Sequence, residues 1–324
     1  MHKYLDYFCI KIDFIFVYFF ILLNLTIKMI HNIDDYTLSV VLEYCGSCKI
    51  NFFGTCKKYR GKLYKNVWFN HDKFMEKNGK ITEIGDMKIF RLRTQNLQNC
   101  KINMQYLTHL EFDGKKLPDD FSELVPNLQY LKFGNNFNES VDNLPQNLKT
   151  LKFGDKFNQR VDNLPQCLQY LEFGSDFNQS VDNLPQCLQT LIFGDEFNQN
   201  VDNLPQNLQN LEFGSQFNQN VDNLPKKLQY LEFGFWFNQK VDNLPANLQT
   251  LKFGYEFNQK VDNLPDSIQT LKLGIKFIKN IGKLPKKLQY LIEYYCGIDE
   301  TLLVDFKKME MSGCYFPYRI WHKN

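Results

Sequence analysis

The stretch VDNLPQCLQYLEFGSDFNQS, residues 161–180, is followed directly by VDNLPQCLQTLIFGDEFNQN, residues 181–200. The two blocks share 15 of their 20 letters, and the differences leave the apolar positions in place. The pattern L-x-x-L-x-F-G-x-x-F-N-x-x-V-D-N-L-P-x-x recurs with small departures, and each copy begins where the previous one ends. A fixed period of this length is typical of a stacked solenoid, in which each repeat contacts its neighbours. The eight copies begin at Leu128, Leu148, Leu168, Leu188, Leu208, Leu228, Leu248 and Ile268.

A single repeat is too short to enclose a core of its own. Stacked neighbours cover each other's apolar faces and complete each other's backbone hydrogen bonds, so we expect the repeats to fold together. The large apolar residues of one repeat are Leu168, Leu171, Phe173, Phe177, Val181 and Leu184.

Each part of the repeat predicts a local structure. L-x-x-L-x-F predicts one short strand of a parallel sheet, with Leu and Phe inward and the third and fifth residues outward. Gly174 follows, where a glycine suits either a positive φ or a close approach of neighbouring backbones. Asn178 and its equivalents predict a ladder of side chains that pair with the adjacent repeat's backbone. The Leu184-Pro185 step opposes helix, and so short a repeat leaves no room for a full helix on the return side.

The pattern decays at both ends, as capping repeats do. LTHLEFDG, residues 107–114, is a partial first copy, and LQYLIEYYCG, residues 288–297, begins a further strand. The expected organisation is an apolar extension 1–28, a helical domain 29–75, a connector and cap with a partial repeat 76–127, the repeats 128–290 and a C-terminal cap 291–324.

Leu-x-x-Leu-x-Phe-Gly, Phe-Asn and Leu-Pro at these spacings resemble leucine-rich repeats and, more closely, the FNIP-repeat family, named for a Phe-Asn-Ile-Pro step. Here that step reads FNQS at 177–180, without the Ile-Pro half. The resemblance covers about half the chain. With the N-terminal helices it implies an α+β protein whose solenoid of about eight repeats has a parallel sheet on one face and binds a protein target.

Residues 33–68 show apolar residues at two helical spacings, before and after CGSC at 45–48. Short helices, a tight turn and Trp68 resemble the F-box, which docks on the Skp adaptor of cullin–RING ubiquitin ligases. Ile33-Asp34 stands where the F-box usually has Leu-Pro. An F-box followed by a repeat solenoid occurs in FNIP-repeat proteins of amoebae and their large DNA viruses. The resemblance therefore implies a substrate-recruiting adaptor. The alternative is a plain helical cap. The residues assigned to docking are Ile33, Leu38, Leu42, Phe52 and Leu63.

The apolar run FIFVYFFILL at 14–23 leaves localisation open. Even with its extension to residue 27, it is shorter than a membrane-spanning helix and lacks a signal-peptidase site. A signal anchor, a packed helix and translation from Met29 all stay open, and mass spectrometry of the mature N-terminus would distinguish them. Nine cysteines without framework spacing favour reduced thiols, hence an intracellular, cytoplasmic protein, in the host cell if viral.

Other chemistry finds little support in the sequence. A net charge of +2 gives no attraction to nucleic acid. Cys45, Cys48 and Cys56 lack a fourth zinc ligand at a suitable spacing. All five histidines lie outside the repeats, the repeated Asp column is too regular for an active site, and a phosphate loop and a nucleophile elbow are missing. We therefore predict binding without catalysis, cofactor or metal. A scaffold without a ligase and a membrane-anchored receptor are the alternatives.

The positions that vary between repeats indicate the partner site. Just after the glycine, the first five repeats are polar and the last three are apolar. Exposed aromatic residues on adjacent repeats are typical of a binding hot spot, although residues 291–324 could instead cover them as a cap. The residues assigned to the partner site are Tyr130, Tyr170, Tyr230, Phe235, Trp236, Tyr255 and Ile275. The outward fifth position is acidic in the middle and basic at both ends: Lys132, Lys152, Glu172, Ile192, Glu212, Glu232, Lys252 and Lys272.

Overall fold

The computed structural model describes residues 69–70, 91–97, 104–278, 281–294, 300–311 and 318–323. All of them belong to Trp68–Asn324, one of two compact units into which the chain divides. The apolar run and all five residues assigned to Skp docking lie outside the described residues.

The described residues form one 14-stranded sheet. Strands β1 to β12 are parallel and follow each other in chain order, with Leu171 opposite Leu191, Leu191 opposite Leu211 and the same offset throughout the repeats. One parallel strand per repeat is confirmed. The strands are β1 Phe69–Asn70, β2 Arg91–Thr94, β3 His109–Phe112, β4 Tyr130–Phe133, β5 Thr150–Lys152, β6 Tyr170–Glu172, β7 Thr190–Ile192, β8 Asn210–Glu212, β9 Tyr230–Glu232, β10 Thr250–Lys252, β11 Thr270–Lys272, β12 Tyr290–Glu293, β13 Phe306–Met311 and β14 Tyr318–Lys323.

The sheet starts earlier than the repeat pattern. The partial copy at 107–114 supplies β3 as expected, but β1 and β2 precede it. β1 lies within residues 29–75, which were expected to be helical, and pairs Phe69 with Leu92. Among the described residues helix is limited to three short pieces: Met104–Tyr106 and Glu300–Leu303 are 3-10 turns, and Phe121–Leu124 is one α-helical turn. Residues 128–278 contain no helix, which confirms the expectation from the period and the prolines.

The largest fully buried side chains of the described core are all phenylalanines. Within one repeat, the rings of Phe173 and Phe177 stack with centroids 3.7 Å apart. Between repeats, Phe173 stacks on Phe193 at 5.8 Å and Phe177 on Phe197 at 6.1 Å. Two continuous columns of rings result, in which each ring stacks on the equivalent ring of the neighbouring repeat. All six apolar residues predicted for the repeat 168–187 are at most 3% exposed.

The glycine column is explained by close backbone approach. A Cβ on Gly194 would lie 1.9 Å from the carbonyl oxygen of Gly174, and 2.4 Å from its carbon. None of the glycines that follow the repeat strands has a positive φ. Of the two reasons offered by the sequence, close approach is therefore the right one.

Two polar ladders run along the stack. The side-chain oxygen of Asn178 accepts hydrogen bonds from the Asn198 N–H at 3.0 Å and from Gln199 Nε2 at 2.9 Å. This Asn ladder confirms the prediction. A second ladder, not predicted, joins Asn203 Nδ2 to Asp182 Oδ1 at 3.0 Å and recurs in neighbouring repeats. The repeated Asp column is thus structural.

The C-terminal strands close the stack in the opposite direction. β14 pairs antiparallel with β12, and β13 pairs antiparallel with β14. Trp321, which is buried, lies opposite Leu291 and donates its Nε1–H to Glu293 at 3.4 Å. Arg319 lies 3.6 Å from the same carboxylate. This antiparallel hairpin ends the parallel array.

Candidate partner-binding surface

The outward face of the sheet carries the third and fifth residues of each strand. In β6 the half-buried Tyr170 and Glu172 flank Leu171, which is fully buried. This alternation follows from the two-residue period of a strand and confirms the predicted orientation. Tyr130, at the same position in β4, stacks on His109 with ring centroids 5.5 Å apart.

Two Lys–Tyr–Glu clusters occupy this face. In the first cluster, Lys152 Nζ lies 2.6 Å from Glu172 Oε2, and the Tyr170 hydroxyl donates to the same oxygen at 2.5 Å. In the second, Lys252 Nζ lies 3.0 Å from Glu232 Oε2 and 2.7 Å from Tyr230 Oη. The lysine precedes the Tyr–Glu strand in the first cluster and follows it in the second. The two clusters are therefore mirror images along the array.

The clusters hold their carboxylates in the charged form. Burial works against ionisation of Glu172, but hydrogen bonds from Lys152 and Tyr170 outweigh it and lower the pKa of Glu172. Burial also opposes ionisation of Glu232, where Tyr230 and Lys252 lower the pKa in the same way. Burial, helped by a hydrogen bond to the carboxylate, raises the pKa of each tyrosine.

Two strands, β7 and β8, lie between the clusters and carry neither tyrosine nor lysine. They present Thr190, Ile192, Asn210 and Glu212, and Asn210 Nδ2 donates to Thr190 Oγ1 at 3.1 Å. Within the described part of the chain, no Lys or Arg forms an ion pair with Glu212. Burial raises the pKa of Glu212, and the neighbouring charge of Glu232 adds to this increase.

Three aromatic side chains group on the turns that follow β9 and β10, and we call them the aromatic cluster. Phe235 stacks on Tyr255 with centroids 4.7 Å apart and an angle of 3° between the rings. Trp236 meets Phe235 edge-on at 4.8 Å. Phe235 and Trp236 are 40% and 48% exposed. Lys276 Nζ lies 5.4 Å above the Tyr255 ring and 2.9 Å from Glu256.

The structure brings only part of the predicted site together. Phe235 contacts both Trp236 and Tyr255, the half-buried Ile275 follows on the next repeat, and Tyr230 lies on the strand that leads to Phe235. Tyr170 lies three strands from Tyr230, about 14 Å along the sheet, and Tyr130 five strands away. These two tyrosines belong to a different part of the face.

Sequence reasoning missed the partners of the tyrosines. Lys152, Glu172, Glu232 and Lys252 were recognised as a charge column but not assigned to the site. Opposite charges at the same position of successive repeats, next to a tyrosine two positions before the glutamate, were the available signal.

With the described C-terminal strands in place beyond β12, Phe235 and Trp236 stay exposed. Cys167 and Cys187 are exposed and free.

The same repeats match a known family. The FNIP Repeat model matches residues 114–156, 140–176, 157–196, 197–235 and 237–276, which together cover 162 of the 324 residues. The chain belongs to the FNIP-repeat family. In this FNIP-repeat protein the Phe of the motif forms a ring column and the Asn forms the ladder, whereas a Gln stands where the motif has Ile.

The chain is similar to three solved structures, of which one has a TM-score above 0.5. CroV588, described as a novel circular LRR protein structure, is 32% identical with a TM-score of 0.55, over 64% of this chain and 38% of that chain. The FNIP-repeat chain thus spans well under half of CroV588. InlP of Listeria monocytogenes is 17% identical over 62% of this chain and 60% of that chain, with a TM-score of 0.42. YopM from Yersinia enterocolitica WA-314 is 18% identical over 62% and 53%, with a TM-score of 0.36. No curated protein matches the sequence.

Two further observations concern the described residues. They contain no group of three or more His, Cys, Asp or Glu side chains placed to hold a metal ion. No helix among them has the length and apolar character needed to cross a membrane. The solenoid resembles leucine-rich-repeat interaction modules in its stacked parallel strands.

Proposed function

We propose that the FNIP-repeat solenoid binds a protein partner through the aromatic cluster and the strand face beside it. The observation that carries the proposal is the exposure of Phe235 and Trp236, at 40% and 48%, on a regular stack. Earlier repeats place Ser175, Asp195 and Ser215 where Phe235 stands. Trp and Tyr are enriched in binding hot spots, and a monomer gains nothing by exposing adjacent large rings.

The second half of the proposal concerns the N-terminal segment. Its resemblance to the F-box, carried by residues 33–68, supports docking on a Skp-type adaptor of a cullin–RING ubiquitin ligase. The solenoid then recruits the target, and the chain acts as a substrate-recruiting adaptor without catalytic chemistry of its own. The candidate docking residues are Ile33, Leu38, Leu42, Phe52 and Leu63.

A capture experiment tests the adaptor role. Purified Skp adaptor should retain the full chain, and Leu42→Asp should abolish retention because a charge replaces an apolar contact. Far-UV circular dichroism should show the solenoid of the variant intact. Trp236→Ser is the matched control, since it alters the solenoid surface and should leave Skp capture unchanged. If the unmutated chain is not captured, the ligase role is wrong, and a scaffold that binds its partner without a ligase takes its place.

A further inference from the structure

The charge distribution along the solenoid is strongly uneven. Between Arg160 and Lys226 the sequence contains no Lys, Arg or His. The whole chain has a net charge of +2, so the middle of the array is acidic and its two ends are basic. The acidic residues of this interval are Asp162, Glu172, Asp176, Asp182, Asp195, Glu196, Asp202, Glu212 and Asp222.

Part of this charge lies in the same columns of the array as the aromatic cluster. Asp195 and Glu196 occupy, two repeats earlier, the positions of Phe235 and Trp236. The Asp195 carboxylate is held by Ser215, whose hydroxyl donates to Oδ1 at 2.7 Å. Ser215 in turn lies at the position directly before Phe235 in the same column. Negative charge therefore lies two repeats before the aromatic cluster, about 10 Å along the stack.

On its other side the aromatic cluster already has a cation. Lys276 lies over the Tyr255 ring and pairs with Glu256. On the strand face, lysines likewise neutralise Glu172 and Glu232. Such an ammonium over an aromatic ring is a favourable contact. Glu172, Glu232 and the Tyr255 ring thus each lie against a lysine of the chain.

Most acidic side chains of this interval form no ion pair within the described residues, and two of them matter for the surface beside the aromatic cluster. One is Glu212, between the Lys–Tyr–Glu clusters, where the half-buried Ile192 lies on the adjacent strand. The other is Asp195, which stands in the same column as Phe235, two repeats earlier. Both belong to one surface, because Glu212 pairs in register with Glu232, three residues before Phe235.

We propose that the partner presents a basic, extended segment to this surface. A Lys or Arg of the segment pairs with Glu212 and lays its aliphatic stem on Ile192, while an apolar side chain of the same segment packs against Phe235 and Trp236. This inference rests on the proposed function and adds the chemistry of the partner. Charge complementarity selects a basic segment over an acidic or neutral one.

The dimensions of the sheet set the spacing within the segment. One strand separation is about 4.8 Å, and three residues along a strand span about 10 Å. Because Phe235 lies in the turn beyond β9, the path from Glu212 to Phe235 is at most about 11 Å, a length that three to four residues of an extended peptide cover. The cation and the apolar residue of the partner should be separated by that interval.

Selection from a random phage-displayed library of 12-residue peptides on the immobilised full chain tests the inference. Counter-selection uses the triple variant Phe235→Ser, Trp236→Ser and Tyr255→Ser, or Trp236→Ser alone if the triple variant fails to fold. Peptides that depend on the aromatic cluster should be enriched in Lys or Arg, with an apolar residue three to four positions away. Glu212→Lys should weaken their binding about tenfold or more. Glu139→Lys, an equal charge change at an exposed site in the first repeat, should alter it less than about twofold.

The outcomes separate the inference from the proposed function. Cluster-dependent peptides without excess positive charge, or equal effects of Glu212→Lys and Glu139→Lys, overturn the inference and leave partner binding intact. Failure to enrich any cluster-dependent peptide overturns both. A dimer by light scattering that becomes a monomer in the aromatic variant also overturns the inference, because a second copy would then cover the surface.

Discussion

The backbone N–H of Asn198 donates to the side-chain oxygen of Asn178 at a distance of 3.0 Å. A side chain thus takes the place of a backbone carbonyl between neighbouring repeats, just after the strands separate. The same bond recurs along the array, from the Asn158 N–H on Asn138 to the Ile278 N–H on Asn258. The ladder ends there because the Ile278 side chain has no oxygen to accept a further bond.

Asn178→Ala should lower the free energy of unfolding by about 1–2 kcal/mol, because the Asn198 N–H and Gln199 lose their acceptor. Asn178→Asp keeps an oxygen at this position and should lose less. Urea unfolding of both variants measures the difference. Equal losses would mean that the ladder contributes nothing beyond the volume of the side chain.

Phe197→Ala should cost about 3–5 kcal/mol of unfolding free energy, because the ring contacts Phe177, Phe193 and Phe217. Phe277→Ala should cost less, since Phe277 stacks on Phe257 near the end of the array. Denaturant unfolding compares the two. A linear stack predicts unequal losses, and identical values at both sites would contradict it.

Gly194→Ala should destabilise the solenoid by about 3 kcal/mol or more, because the new Cβ would collide with the Gly174 carbonyl. Gly282→Ala is the matched control. Its Cβ would meet the Asp262 carboxylate at 3.1 Å, and that side chain can move aside. Thermal unfolding should therefore separate the two variants clearly. Tolerance of alanine at residue 194 would refute the close-approach explanation.

Glu212→Gln should stabilise the protein at pH 7 by less than about 1 kcal/mol, since water screens a half-exposed carboxylate. The raised pKa of Glu212 means that the folded state binds the proton more tightly than the unfolded state, so ionisation costs stability. The gain should vanish near pH 3, below the ordinary pKa of about 4.3, where the wild-type side chain is protonated in both states. Unfolding curves across this range measure it. A gain that persists at pH 3 would point to packing instead of charge.

The serine variants of Phe235, Trp236 and Tyr255 should leave the melting temperature within about 2 °C of wild type, because the rings lie on the surface. Ile278→Ser, at a side chain 74% exposed outside the aromatic cluster, is the control. A large loss of stability in the aromatic variants alone would identify the cluster as covered core, in agreement with the capping interpretation.

Much of the array could be predicted because each column repeats one physical requirement. Leu168 and Phe173 had to face inward, and Asn178 had to bond to its neighbour, since the same residue stands at the equivalent position of every repeat except the last. The start of the sheet could not be predicted, because β2 reads RLRT and lacks the glycine and Phe-Asn that mark later strands. The antiparallel return of β14 depends on contacts distant in sequence.

The candidate site was harder to predict than the fold. The aromatic cluster could be found from three adjacent substitutions in one column. The hydrogen bonds of Tyr170 to Glu172 and of Lys252 to Tyr230 depend on side-chain rotamers and on register across strands, which a charge column alone does not specify.

A parallel stack of identical repeats has no intrinsic end, because its last strand offers the same unpaired backbone that every earlier strand offered. At β12 that template would accept the first strand of another molecule, and growth would continue as a fibre. β14 occupies it in the opposite direction, and the outermost strand, β13, carries the exposed Lys307 and Lys308. Charged residues on an edge oppose further pairing. The reversal of chain direction thus removes the parallel template at this end of the sheet.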